Sequence, residues 1–147
     1  MAVMVPLYEV PFAPAYDDIW PSKKEDEKGV LCVYFNPMFG SRTVRMQRNL
    51  NDIMNVIGLT TRYVDEINFY KLGNKMLITH GAQTESYKDA LIYNGEKFDL
   101  ESPVLICNKD FTSLTESEAL VMLESTRLRR NIKSKTYNMS IEINEVV

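Results

Sequence analysis

The chain has few side chains whose types and spacing could carry out catalysis. Its single histidine, His80, allows neither a two-histidine metal site nor a histidine relay. The two cysteines, Cys32 and Cys107, lie in apolar runs without a neighbouring charge, which predicts buried thiols in a reducing compartment rather than a disulfide or a nucleophile. No glycine-rich phosphate loop, Walker motif or dinucleotide fingerprint occurs. We therefore expect a protein without catalytic residues, cofactor or metal ion.

One basic cluster near the C-terminus could bind an anion. Its five side chains fall within nine residues: Arg127, Arg129, Arg130, Lys133 and Lys135. The whole chain has a net charge of −3, which argues against a protein that coats nucleic acid and leaves room for a local patch. Cations also stabilise the C-terminus of a helix through its dipole. Two interpretations stay open: a charged helix end, or a site for RNA, DNA or an acidic protein surface.

Residues 1–28 form a proline- and aromatic-rich arm ahead of a single domain at residues 29–147. Four of the six prolines lie in the arm and exclude a continuous helix there. Four large aromatic side chains nevertheless recur at every fourth position: Tyr8, Phe12, Tyr16 and Trp20. Aromatic side chains contribute mainly through the area that they bury. We therefore expect the arm either to pack on its own domain or to dock on another chain.

Short apolar or alternating runs predict strands through most of the domain. These runs lie at residues 30–35, 43–46, 61–72, 75–79, 90–93, 97–100, 103–107 and 139–144. Gly73-Asn74 and Asn94-Gly95 are turn signals, which predict hairpins between the strands on either side.

Two further segments are predicted to be helices. Leu50–Ile57 places apolar residues at i, i+3, i+4 and i+7 and is followed by Gly58. A longer helix over residues 116–130 begins with a capping box, in which Thr115 and Glu118 satisfy each other's backbone amides. Strands outnumber helices and do not alternate with them. The sequence therefore predicts an α+β fold: an antiparallel sheet of about five strands with one short and one longer helix.

Several segments between about residues 30 and 120 resemble segments of one known family. They are the short helix at 49–58 with its final Ile57-Gly58, the strand pair around 62–80, the turn at Asn94-Gly95, and the run from 99–104 to the Ser-Leu-Thr at 113–115. Together they resemble an uncharacterised family of small domains encoded by phages and plasmids. The resemblance implies an origin in a mobile genetic element and a cytoplasmic setting, and it implies no reaction.

These observations lead to one functional hypothesis and two alternatives. We expect a non-enzymatic binding protein of phage or mobile-element origin, of the kind that inhibits a host defence complex such as a CRISPR effector. Its partner is expected to be a host protein complex or a second copy, bound through the basic cluster or the aromatic arm. The first alternative is a nucleic-acid-binding accessory protein that uses the basic cluster. The second is a small enzyme or nucleotide-binding domain that uses His80.

The setting predicted for the chain is the cytoplasm of a host cell. No run approaches the roughly 18 apolar residues of a membrane helix, so we expect no membrane association. No basic residue precedes the short apolar stretch at residues 1–6, which is unlike a signal peptide.

Overall fold

The computed structural model of the protein describes residues 4–6, 29–36, 40–47, 50–57, 67–80, 87–100, 104–131, 133 and 136–145. The described strands are β1 (Val5–Pro6), β2 (Val30–Asn36), β3 (Gly40–Met46), β4 (Ile67–Leu72), β5 (Lys75–His80), β6 (Tyr87–Tyr93), β7 (Glu96–Leu100), β8 (Val104–Asn108), β9 (Arg127–Asn131) and β10 (Thr136–Ile143). The helices are α1 (Leu50–Ile57) and α2 (Glu116–Ser125), and a 3₁₀ turn covers Lys109–Phe111.

The central strands of the larger of two sheets are apolar and buried on both faces. Its strand order is β1-β4-β5-β8-β2-β3, and all neighbouring strands are antiparallel. In β2, Cys32 and Tyr34 belong to the core on one face, whereas Val33 and Phe35 belong to the core on the other. Because neither face meets water, the sequence of β2 is continuously apolar rather than alternating.

Different elements cover the two faces of this sheet. On the first face, Ile53 and Met54 of α1 pack in the core. On the second face, the core includes Leu91 and Ile141 from the smaller sheet and Met122 from α2. The larger sheet is therefore the middle layer, with α1 on one side and the smaller sheet and α2 on the other.

The smaller sheet has four strands in the order β7-β6-β10-β9. A hairpin joins β6 and β7, and β10 pairs with β9 in antiparallel register. Its central pair is parallel, with Tyr137 of β10 opposite Tyr87 of β6 and Ile143 opposite Tyr93. The apolar and polar residues alternate along the end of β10. Ile141 and Ile143 are buried, and Glu142 between them is exposed.

The predicted α+β class is confirmed, with an antiparallel sheet and one short and one longer helix. The second, smaller sheet and its parallel pair were not predicted. The start predicted for the long helix is confirmed, and its predicted end was wrong: α2 ends at Ser125, and residues 127–131 are strand β9. The backbone leaves the helix at Thr126 (φ −66°, ψ 131°), and β9 then pairs with β10.

The predicted arm is described only at its beginning. Val5 and Pro6 form β1, which pairs with Tyr70 and Lys71 of β4. The four arm aromatics lie outside the described residues, so how the arm packs stays a prediction.

The two hairpin turns provide a matched pair of substitutions. Gly73 and Gly95 both have left-handed backbones, with φ of +58° and +83°. A Cβ atom on Gly73 would lie 1.9 Å from the hydroxyl oxygen of Tyr93, whereas nothing lies within 4 Å of one on Gly95. We expect Gly95→Ala to lower the free energy of unfolding by about 1–2 kcal/mol, the cost of a left-handed non-glycine residue.

Gly73→Ala should cost about 1–3 kcal/mol more, because the Tyr93 ring must also move. Urea unfolding of both variants measures the difference. Equal losses in the two variants would contradict the packing of Tyr93 over this turn.

Candidate functional site

A buried ammonium group lies where the two sheets meet α2. Lys75 is the first residue of β5, and only 2% of it is exposed. Its Nζ donates to Asn108 Oδ1 (2.8 Å), to Glu118 Oε2 (2.9 Å) and to Glu145 Oε1. An ammonium group has three N–H donors, and all three are used here. We call Lys75, Tyr93, Asn108, Glu118 and Glu145 the lysine network.

Glu118 joins the network to the first turn of α2. Its Oε1 accepts from the amide of Thr115 (3.0 Å), and its own amide donates to Thr115 Oγ1 (3.0 Å), which confirms the predicted capping box. Asn108 Nδ2 donates to the same Glu118 Oε1 (3.2 Å) and to the carbonyl of Ser113 (3.0 Å). One carboxylate thus caps the helix and holds it to the end of β8.

Glu145 joins the network to the residues beyond β10. Its Oε2 accepts from the Tyr93 hydroxyl and from the amide of Asn74 (3.2 Å), while its Oε1 accepts from Lys75. The amide of Glu145 donates to Asn94 Oδ1 (2.7 Å). Glu145 therefore ties the segment after β10 to both hairpin turns, to Asn74 through its carboxylate and to Asn94 through its backbone amide.

The titration of the network is set by its hydrogen bonds. Burial alone raises the pKa of Glu118, but hydrogen bonds from Lys75 and its other neighbours outweigh burial and lower that pKa to about 2. Burial is likewise outweighed at Glu145, whose pKa is lowered. Burial and the adjacent Glu145 carboxylate raise the pKa of Tyr93 to about 12. None of these three groups is poised to exchange a proton near neutral pH, as a general acid or base would need to be.

A cleft of about 440 Å³ lies between α2 and the edge strand β3. From the strands it is lined by Leu31, Thr43 and Arg45, and from α2 by Glu116, Ala119, Leu120 and Leu123. Leu120 is 56% exposed, and its neighbour Val121, on the other side of the helix, is 58% exposed. We call this feature the α2–β3 cleft.

The backbone of β3 directs hydrogen-bonding groups to its open edge. Leu31 of β2 directs its N–H and C=O to residues 113–114 (N···Oγ 3.0 Å and O···N 2.9 Å), away from β3. Arg45 lies opposite Leu31, so this is a non-hydrogen-bonded pair, and the N–H and C=O of Arg45 point outward. The alternation of an antiparallel ladder gives Thr43 and Ser41 the same orientation.

The next outward amide along this edge, that of Gln47, already has an acceptor. The amide of Gln47, in phase with that of Arg45, donates to Asp52 Oδ2 of α1 (2.8 Å). Among the described residues, no partner meets the outward groups of Ser41, Thr43 and Arg45. The side chains of these three residues lie on the same face of the sheet as Leu31, beside α2.

The structure does not present the basic cluster as a helix end. Arg129 and Arg130 lie in β9, opposite Asn138 and Tyr137 of β10. Arg127, also in β9, donates from Nη1 to the carbonyls of Glu124 (2.9 Å) and Thr126 (3.0 Å). Arg127 thus satisfies carbonyl groups at the C-terminal end of α2, which is the role that the helix-dipole interpretation gives to a cation at that position.

The other predicted site residues are only partly described. Lys133 is exposed, and Lys135 lies outside the described residues. His80 is the last residue of β5 and lies opposite Ile67, and the structure describes its backbone only. Cys32 and Cys107 are both fully buried thiols outside any disulfide, as predicted.

The lysine network and the α2–β3 cleft were not predicted, although the capping box revealed Glu118. Lys75 follows a turn signal, where a lysine is usually exposed. The continuous apolar run at residues 30–35 predicted a strand, but it did not indicate the α2–β3 cleft. Within the described part of the chain, no cluster of three histidine, cysteine or acidic residues could hold a metal ion.

Comparison of the chain with protein-family models, with curated proteins and with solved structures finds no match in any of the three. Among the described residues, no helix is long and apolar enough to cross a membrane. The resemblance to phage and plasmid domains accordingly stays a prediction.

The network predicts how stability depends on pH. Because the pKa of Glu118 falls from 4.5 to about 2 on folding, its contribution is complete above about pH 4.5 and is lost as the pH falls through about 2. Glu118→Gln should cost about 1–3 kcal/mol at pH 7, since a charge-assisted hydrogen bond is lost. It should also flatten the fall in stability between pH 4.5 and pH 2.

Glu116→Gln is the matched control, because Glu116 is an exposed acid in the same helical turn. Urea unfolding at several pH values compares both variants with the parent. The assignment is wrong if the Glu118→Gln curve runs parallel to the parent curve, or if Glu116→Gln changes it equally.

Proposed function

We propose that the chain is a non-enzymatic protein-binding module whose binding surface is the α2–β3 cleft. The observation that carries the proposal is the placement of Leu120, which is more than half exposed at the mouth of a cleft with an apolar floor. Leu31 and Ala119 supply that floor and are themselves buried. An exposed leucine beside a preformed apolar cleft is typical of a surface that a partner covers.

The chemistry of the lysine network supports a binding role over a catalytic one. The buried amine of Lys75 has all three of its donors occupied. A lysine nucleophile needs a free lone pair on Nζ, and an ammonium that donates three hydrogen bonds has none. The network is instead suited to hold α2 in place beside the cleft.

The finer parts of the functional hypothesis rest on the sequence. The resemblance of residues 30–120 implies origin in a phage or another mobile element and a host cytoplasmic setting. Inhibition of a host defence complex is the role that we propose for a binding protein of this origin. A protein-binding module is compatible with that role. The nucleic-acid alternative receives less support, because the guanidinium of Arg127 is engaged with helix carbonyls.

Leu120→Glu tests the proposal, with Val5→Glu as its control. Val5 is a large apolar residue of similar exposure (48%) in β1, at the opposite edge of the larger sheet. Both variants should keep the parent's stability within about 0.5 kcal/mol, as exposed substitutions usually do. The immobilised chains are exposed to a nuclease-treated lysate of the cells in which the protein occurs, and bound proteins are quantified.

We expect one protein to be retained by the parent and by Val5→Glu, and to be retained about tenfold less by Leu120→Glu, since a buried anchor residue is lost. Equal retention by Leu120→Glu would overturn the assignment of the surface. A partner that is retained only from a parallel lysate without nuclease treatment would favour the nucleic-acid alternative.

A further inference from the structure

We propose that the α2–β3 cleft captures an extended segment of another protein, which adds as an antiparallel strand to β3. This inference rests on the proposed function and identifies the partner by its chemistry. The segment places an apolar side chain opposite Thr43, inside the cleft, and an acidic side chain two residues earlier, opposite Arg45.

The backbone of β3 is ready to accept a strand. Ser41, Thr43 and Arg45 present N–H and C=O groups outward at every second residue, which is the spacing of a strand ladder. Asp52 closes this edge beyond Arg45 by accepting from the amide of Gln47. A partner strand therefore has three successive docking positions and a defined end. Addition of a strand to an exposed edge is a common mode of peptide recognition.

The antiparallel direction follows from the sheet itself. Every neighbouring pair in the larger sheet is antiparallel, and antiparallel pairing is slightly more stable per residue than parallel pairing. The first turn of α2 lies beside Arg45, since Glu116 lines the same end of the cleft. The end of α2 lies beside Ser41, whose Oγ is 2.9 Å from Thr126 Oγ1. The added strand would thus run from the Arg45 end to the Ser41 end, alongside α2.

The register places alternate side chains of the segment in the cleft. Residues directly opposite each other in a ladder have their side chains on the same face. The residue opposite Thr43 therefore meets the apolar floor formed by Leu31 and Ala119 and the exposed side chain of Leu120. This position calls for an aliphatic or aromatic side chain.

Charge selects the neighbouring position and disfavours a second copy of the chain. β3 carries two exposed arginines, Arg42 and Arg45, and no acidic residue. Antiparallel pairing of β3 with its own copy would place four arginines and no acidic residue on two adjacent strands, whereas an acidic residue opposite Arg45 forms a cross-strand ion pair. Glu116 of α2 also lines the cleft and would attract a basic residue at the same position. The experiment therefore compares acidic with basic residues there.

Selection from a library of random eight-residue peptides, displayed and panned against the full chain, tests the motif. We expect enrichment of an apolar residue preceded two positions earlier by Asp or Glu. Arg45→Glu should change that acidic preference to Lys or Arg. The selected acidic peptide should bind Arg45→Glu about tenfold more weakly than the parent, the size of one cross-interface charge pair.

Arg42→Glu is the matched control on the same strand. Arg42 lies on the opposite face, with its guanidinium carbon 5.1 Å from the centre of the Tyr34 ring. It should leave the acidic preference at the Arg45 position unchanged. The charge switch thus separates the proposed register from a general attraction of β3 for acidic peptides.

Three outcomes of the peptide selection would overturn the inference. They are selection of no spaced motif, an acid that follows the apolar residue instead of preceding it, and the same preference in Arg45→Glu as in the parent. A dimer in sedimentation velocity that the selected peptide dissociates would assign the edge to a second copy and would likewise reject the proposal. The proposed function is judged separately by retention on Leu120→Glu, which involves no peptide.

Discussion

A single buried charge constrains the arrangement of the whole domain. The ammonium of Lys75 lies away from water, and removing such a charge from water costs several kcal/mol unless acceptors surround it. Its acceptors come from three distant parts of the chain: Asn108 at the end of β8, Glu118 in α2 and Glu145 beyond β10. The buried lysine is therefore stable only when both sheets and α2 are assembled together. The loss of any one of these partners would leave one N–H of the buried ammonium without its acceptor.

Polar contacts at the two ends of α2 explain why the cleft is open. Glu118 in its first turn bonds Lys75, and Thr126, just after its last turn, bonds Ser41 of β3. Ala119 and Met122 bury its inner face, which leaves Leu120 to the outside. Since the helix is fixed by its ends, its middle need not close over β3. A binding surface held by rigid elements on both sides loses little entropy when a partner docks.

Sequence patterns predicted the elements that depend on local chemistry. Alternation and turn residues located most strands, and Thr115 and Glu118 located the start of α2 correctly. The end of α2 was predicted wrongly because the Arg127–Arg130 run consists of good helix formers, and its pairing with β10 overrides that weak preference. Long-range contacts overrode local propensity at this point.

The candidate site was beyond local patterns for a related reason. The acceptors of Lys75 lie 33, 43 and 70 residues away in the sequence, so no window around the lysine shows that it is buried. Which backbone groups of β3 point outward also depends on remote residues. The hydrogen bonds of Leu31 with residues 113–114 determine it. Spacing along the chain could reveal neither the network nor the open edge.

Amide hydrogen exchange on β3 is the most direct test of strand capture beside α2. In the free chain, the amides of Thr43 and Arg45 should exchange quickly, whereas that of Val44, which faces β2, should exchange slowly. Saturation with a peptide that binds the cleft should slow Thr43 and Arg45 to the range of Val44. Unchanged exchange at Thr43 and Arg45 in the saturated complex would contradict the account, because a bound strand must use those two N–H groups.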